Sequence, residues 1–135
     1  MFAFRTVGDK RMVDFRASLP SSPSSPASSR RLLSQALRDS APSPTVDTAR
    51  LLTSELVTNA VLHALVPDGR IGLSLRQSSD AIRVEVEDEG AGFEEAGRSP
   101  NLDSGSGWGL WLLRELASRW GVLHDPFRVW FELDT

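Results

Sequence analysis

The sequence predicts an α+β fold, a two-layer sandwich in which helices cover one face of a mostly antiparallel sheet. Three observations predict it. Ile82, Val84 and Val86 alternate with Arg83, Glu85 and Glu87, the period of two that marks a strand with one buried and one wet face. Ile71, Leu73 and Leu75 alternate in the same way with Gly72, Ser74 and Arg76. A sheet wet on one side must bury the other under helices. The run from Leu51 to Leu65, rich in apolar residues and free of Pro and Gly, is long enough to be such a helix.

The elements follow in order. Val13, Phe15 and Ala17 alternate with Asp14 and Arg16 as an opening strand. Ten of the thirteen residues from Ala17 to Ser29 are Ser or Pro, a composition that resists regular structure. A loop over about 17–29 is therefore expected, leading into a short helix from about Ser28 to Asp39. The long helix starts near Thr45, with Thr45 or Ser43 as N-cap beside Pro44, and Pro67-Asp68-Gly69 ends it. Ser78-Ser79-Asp80 is short enough to join the next two strands as a hairpin. A third helix carries Leu110, Leu113, Leu116 and Ala117 on one side. Two last strands, about 121–124 and 127–133, meet at Asp125-Pro126. The order is β-α-α-β-β-α-β-β.

Composition limits the function. A chain of 135 residues is one domain, able to bury roughly two thirds of its unfolded surface. Without cysteine it has neither disulfides nor thiolate metal sites, and its two histidines, His63 and His124, lie far apart, which argues against zinc. A net charge of −3 and a pI near 5.3 speak against direct nucleic-acid binding, whose footprint is a basic face. No apolar run reaches membrane-spanning length and the N-terminus lacks a signal-peptide core, so a cytoplasmic protein is expected. Lys10 is the only lysine among the basic residues.

Three places carry chemistry. Asp88 has the parity of Ile82, Val84 and Val86, so a strand that reaches it turns a carboxylate towards the interior. There it must accept hydrogen bonds, from the protein or from a ligand. Gly90 and Gly92 follow and let the backbone approach a bound group closely. In the long helix, Glu55 and Asn59 are one turn apart and interrupt an apolar face bounded by Leu51, Leu52, Leu56 and Leu62. An amide oxygen suits Mg²⁺, which takes few protein ligands and completes its shell with water and phosphate. A carboxylate beside it can orient a water or accept a proton. Finally, Gly105, Gly107 and Gly109 precede the third helix, whose first amides are suited to phosphate.

In this order, Glu55-x-x-x-Asn59, Asp88-x-Gly90-x-Gly92 and Gly107-x-Gly109-Leu110 resemble the N, G1 and G2 boxes of the GHKL ATP-binding superfamily, which includes type II topoisomerases, histidine kinases and mismatch-repair ATPases. The wording Ser54-Glu55-Leu56-Val57-Thr58-Asn59-Ala60-Val61-Leu62-His63-Ala64, with Trp120-Gly121-Val122, is similar to the bacterial anti-sigma-factor serine/threonine kinases of the RsbW type. The resemblance spans roughly residues 12 to 133, and three boxes in order are far more specific than one.

The resemblance implies a Bergerat fold, ATP or ADP as ligand, and Mg²⁺. It implies that Asp88 accepts from the adenine amine, Asn59 holds Mg²⁺ and Glu55 is the base. Gly90 and Gly92 then line the adenine and ribose side, and Gly107, Gly109 and Leu110 the phosphate side. The segment of about 93–108 becomes an ATP lid, with Arg98 a candidate phosphate contact. Implied partners are a sigma factor and an anti-sigma antagonist protein, and a homodimer is within the same range of assemblies.

Plainer roles stand beside these. Trp108, Trp111, Trp120 and Trp130 are expected in the core or on a sheet face, although Trp108 sits among the lid glycines. His63 lies one turn beyond Asn59 and is read as structural. Glu85, Glu87 and Glu89 form a solvated face. Three functions from different classes follow: a kinase that also inhibits a sigma factor, a catalytically silent module that sequesters partners, and an excised histidine-kinase catalytic domain. The last is disfavoured because no histidine lies in an acidic helical setting near the N-terminus and the chain is expected to be complete from Met1.

Overall fold

The computed structural model describes residues 4–7, 10–62, 69–88 and 108–135, with side chains over 12–62, 69–88 and 111–135. The strands are β1 (Phe4–Val7), β2 (Lys10–Pro20), β3 (Arg70–Gln77), β4 (Ala81–Asp88), β5 (Arg119–Leu123) and β6 (Arg128–Asp134), and the helices α1 (Ser25–Leu37), α2 (Ser43–Leu62) and α3 (Trp108–Leu116). The six strands form one sheet in the order β1-β2-β3-β4-β6-β5, and every neighbouring pair is antiparallel. The α+β sandwich read from the sequence is the observed fold, with β1 as an added edge strand.

Strand register explains the core. Phe15, Leu75, Val84, Phe131 and Trp120 lie in one row across five strands. Leu75, Val84 and Phe131 are fully buried. Over this face α2 presents Ala49, Leu52, Leu56, Val57 and Ala60, and α1 presents Leu33, Ala36 and Leu37, all buried. Burial of this apolar face is the main stabilising term of the sandwich.

The opposite face is charged and ordered. Arg83 contacts Glu85 at 2.9 Å and Glu132 at 3.2 Å, and Arg119 reaches Glu132 at 2.7 Å and also bonds Asp134. The Arg83 guanidinium lies 4.1 Å from the centre of the Trp130 ring, within cation–π range. Hydrogen bonds from Arg119 hold the Glu132 and Asp134 carboxyls below their ordinary values, with Arg83 adding to the effect on Glu132.

Several boundaries differ from the sequence reading, each for a local reason. The Ser/Pro-rich stretch is a loop only between Pro20 and Ser25, because β2 runs on to Pro20 and α1 begins at Ser25. Pro26 sits in the first turn of α1, where a missing N–H costs nothing. The serine hydroxyls serve the backbone: Ser25 donates to the Pro20 carbonyl, Ser29 to that of Pro26 at 2.7 Å and Ser28 to that of Ser24 at 3.2 Å. Composition overstated the disorder because it ignored these bonds. Pro44 likewise falls inside the first turn of α2 rather than before it. Strand β5 starts at Arg119 because Arg119 pairs with Glu132. The Asp125-Pro126 bond that links β5 to β6 is cis.

Two side-chain expectations are corrected. Leu116 does not share the buried face of α3. It is 41% exposed, while Leu113 is buried and Leu112 and Ala117 pack partly against the core. Trp111 is 50% exposed, whereas Trp120 packs on the core and Trp130 lies on the charged sheet face.

Candidate functional site

Chain direction places Asp88 at one end of the sandwich and carries the second half of α2, with Glu55 and Asn59, towards that same end. Leu19, Ile71 and Asp88 form a row across β2, β3 and β4, and the Asp88 N–H donates to the Phe127 carbonyl at 3.3 Å. The ends of β2, β4 and β5 and the starts of β3 and β6 therefore lie together at what is here the site end. Helix α1 leaves that end and finishes at the far end, where Gln77 Nε2 donates to the Ser40 carbonyl at 2.6 Å and Gln77 Oε1 accepts from Val13 N at 3.1 Å. Helix α2 starts at the far end and returns, so its second half, with Glu55 and Asn59, approaches the site end. Helix α3 finishes beside the start of α2, because Pro44, Thr45, Thr48, Leu116 and Leu133 line one cleft. Its glycine-bearing start thus points back towards Glu55 and Asn59.

Asp88 stands where the alternation predicts. Its Cα partner in the register is Ile71, which is buried, and Val84 and Val86 on the same face of β4 are buried too. The strand therefore ends with a half-buried carboxylate on the helix-covered face of the sheet. Asn59 is buried and Glu55 half-buried, within an α2 surface whose neighbours Leu52, Leu56 and Ala60 are core. A polar amide taken into such a face needs polar partners. The donor set fits a nucleotide with one cation: a carboxylate acceptor at a strand end, an amide oxygen, and a carboxylate a turn away. Among the described residues no three His, Cys, Asp or Glu side chains gather as a metal cage. Mg²⁺ commonly takes only one or two protein oxygens and completes its shell with substrate phosphates and water, and the Asn59 amide oxygen is a hard donor of that kind.

Gly109 and Leu110 lie in the first turn of α3, where free amides face the helix axis. Gly90, Gly92 and Gly107 lie outside the described residues, as do His63, Glu89, Arg98, the lid segment before Trp108 and the Pro67-Asp68 end of the long helix. Sequence reasoning missed Ile71 and Phe127, which flank Asp88. Both were findable only through strand register, since neither stands in a motif.

Residues 19–126 match the family model described as the histidine kinase-like ATPase domain. The chain belongs to that family of nucleotide-binding ATPase domains. Among solved structures it is similar to the crystal structure of the RsbU and RsbW domains of Rv1364c from Mycobacterium tuberculosis. The TM-score is 0.66 at 21% identity, covering 90% of this chain and 31% of that one. The likeness is one of fold, and this chain spans less than a third of the length of the chain it matches. Among curated proteins none matches the chain. No helix among the described residues is long and apolar enough to cross a membrane.

Proposed function

We propose that this domain binds Mg²⁺-ATP and acts as an anti-sigma factor with serine/threonine kinase activity towards an anti-sigma antagonist protein. The observation that carries the reading is the convergence of Glu55 and Asn59 on one stripe of α2 at the sheet end where Asp88 closes β4. The RsbW-type wording around Asn59 and the likeness to a structure that contains an RsbW domain support the regulatory part of it.

The roles proposed for the residues are those that the resemblance implies and that their chemistry suits. Asp88 accepts from the exocyclic amine of adenine, because a carboxylate offers acceptors only. Asn59 would hold Mg²⁺ through its amide oxygen. Gly90 and Gly92 follow the adenine and ribose, and Gly107, Gly109 and Leu110 leave amides free for phosphate. Glu55 takes the proton of the attacking serine or threonine hydroxyl. ATP supplies the γ-phosphoryl group: the hydroxyl oxygen bonds to γ-phosphorus, the bond to the β,γ-bridging oxygen breaks, and ADP leaves. Much of such catalysis is positioning and charge stabilisation.

The test is to recover partners from the native cell by mass spectrometry and to incubate each with the domain and labelled Mg²⁺-ATP. Label on a serine or threonine of one partner is the expected result. Tight nucleotide-dependent binding with no label on any partner would instead make the domain a silent sequestration module.

A further inference from the structure

Strand register sets a histidine beside the candidate base site. The row that joins Ile71 to Asp88 continues to Phe127, whose carbonyl accepts from the Asp88 N–H at 3.3 Å. Extended by one step, the β5–β6 register then meets His124, the first residue of the turn that Phe127 closes. The imidazole and the Phe127 ring are in contact, with centroids 5.9 Å apart and planes at 54°. Phe127 belongs to the buried core, while His124 is exposed. Carboxylate, phenyl ring and imidazole thus follow one another across β4, β6 and the end of β5.

The other cations near this end face elsewhere among the described residues. Arg70 donates to the Ser18 carbonyl at 2.9 Å and to its hydroxyl at 3.0 Å. Arg128 lies on the charged sheet face, opposite Glu87 in the register and 4.0 Å from Glu85. Arg30 and Arg31 belong to α1, which packs on β2 towards the other side of the sheet. Arg114 sits in the last turn of α3, at the far end. The titratable groups on the elements that meet His124 are Asp88 in its row, Asp125 in its turn and Glu55 on α2, and the first turn of α3 holds no acid.

Distance decides what His124 can reach. Two strand spacings set it about 10 Å from Asp88. With the adenine amine on Asp88, the ribose and α-phosphate of an extended nucleotide lie that far away. Helix α3 has nine residues, about 13 Å, and β5 five, about 16 Å. One leaves the site end and the other returns to it, so β5 delivers His124 to the level of the first α3 amides. A protonated imidazole carries two N–H donors, and its bond to a phosphate oxygen is charge-assisted. We propose that His124, held against Phe127, donates to the α-phosphate of the bound nucleotide. This rests on the nucleotide reading of the site and names a phosphate-side cation for it.

The experiment is calorimetry on the full chain with Mg²⁺ at about pH 6 and about pH 8, with ADP, AMP and adenosine as ligands. His124→Gln is expected to weaken ADP and AMP roughly tenfold at the lower pH, the scale of a hydrogen bond between charged groups. The loss should shrink at the higher pH, where the imidazole is neutral, and adenosine should bind within about twofold of the parent chain throughout. His124→Arg should keep tight ADP binding at both, because a guanidinium does not titrate there. NMR of the unaltered chain supplies a second measure. The His124 Cε1–H signal, assigned by its loss in either variant, should titrate at higher pH with ADP than with adenosine, since a phosphate favours the charged form. Unchanged ADP affinity in His124→Gln overturns the proposal, as does an equal loss for ADP and adenosine or a titration that ADP does not move. If the unaltered chain binds none of the three ligands, the nucleotide reading falls and the proposal with it. ADP binding that His124→Gln leaves intact sinks the proposal alone.

Discussion

The backbone of Gly121 passes against the indole of Trp130, its partner across the β5–β6 register: a Cβ on Gly121 would stand 2.8 Å from Trp130 Nε1 and 3.0 Å from Cε2 and Cζ2. No side chain fits there unless the indole shifts, and Arg83 is stacked on that same ring. The glycine of Trp120-Gly121-Val122 is thus a packing requirement of the charged sheet face. Trp120, one residue earlier, points to the core instead. Gly121→Ala is expected to destabilise the fold by about 1–3 kcal/mol, the usual cost of overpacking. In a Trp130→Ala background the same change should cost much less, a non-additivity that urea unfolding of the four proteins measures. Additive losses would show that the two residues do not compete for space.

The ion pairs on this face predict an acid limit. Glu132 and Asp134 have carboxyls held below their ordinary values of 4.5 and 3.8, chiefly by hydrogen bonds from Arg119. A depressed native pKa means that the unfolded chain takes up protons first. Their contribution is full above about pH 5 and disappears as pH falls through the native values. Arg119→Met should leave stability at pH 7 little changed, since exposed pairs contribute modestly, and should flatten the decline below pH 4.5. Denaturant midpoints between pH 3 and 7 for the two proteins decide this. Parallel curves would exclude Arg119 as the cause.

These residues also show how far the sequence could be read. Alternation in 71–75 and 82–87 carried the strands, their pairing and the inward parity of Asp88, because the period of two is imposed by backbone geometry. The Glu55–Asn59 pair was legible because it breaks an apolar helix face. What stayed hidden depends on contacts between distant segments. Ser25 and Ser29 read as loop because their hydroxyl bonds to Pro20 and Pro26 appear only once the turn exists. Leu116 read as core because periodicity cannot tell a buried stripe from one bordering a cleft. The role of Gly121 needed the register that sets it opposite Trp130.

Thr53 offers a test inside the core. It is fully buried on α2, and its hydroxyl has no hydrogen-bond partner among the described residues. An unmet hydroxyl in an apolar site carries a desolvation cost of roughly 1–3 kcal/mol. Thr53→Val keeps the shape and removes the hydroxyl. It should therefore leave stability unchanged or raise it by up to about 1 kcal/mol, read as a shift of the urea midpoint at constant slope. A clear loss of stability would reveal a partner, such as a trapped water, that the hydroxyl serves.

The site itself is best divided by two substitutions that act on different steps. Asp88 closes β4 opposite buried Ile71, so its carboxylate faces inward at the strand end. Asp88→Asn replaces one acceptor with a donor that faces the adenine amine, and ADP affinity should fall by at least about tenfold, or 1.4 kcal/mol. Glu55 is half-buried one turn from Asn59 on α2, an element other than the strand that carries Asp88. Glu55→Gln should keep ADP affinity within about twofold and slow phosphoryl transfer to the cognate partner by roughly 10²–10⁴-fold, the usual contribution of a general base. Calorimetry with ADP and single-turnover transfer from labelled Mg²⁺-ATP, run on both variants, assign the roles. If Asp88→Asn binds ADP as well as the parent chain, Asp88 does not read adenine. If Glu55→Gln transfers phosphate at the parent rate, another group takes the proton, and the α2 stripe serves only to hold the nucleotide.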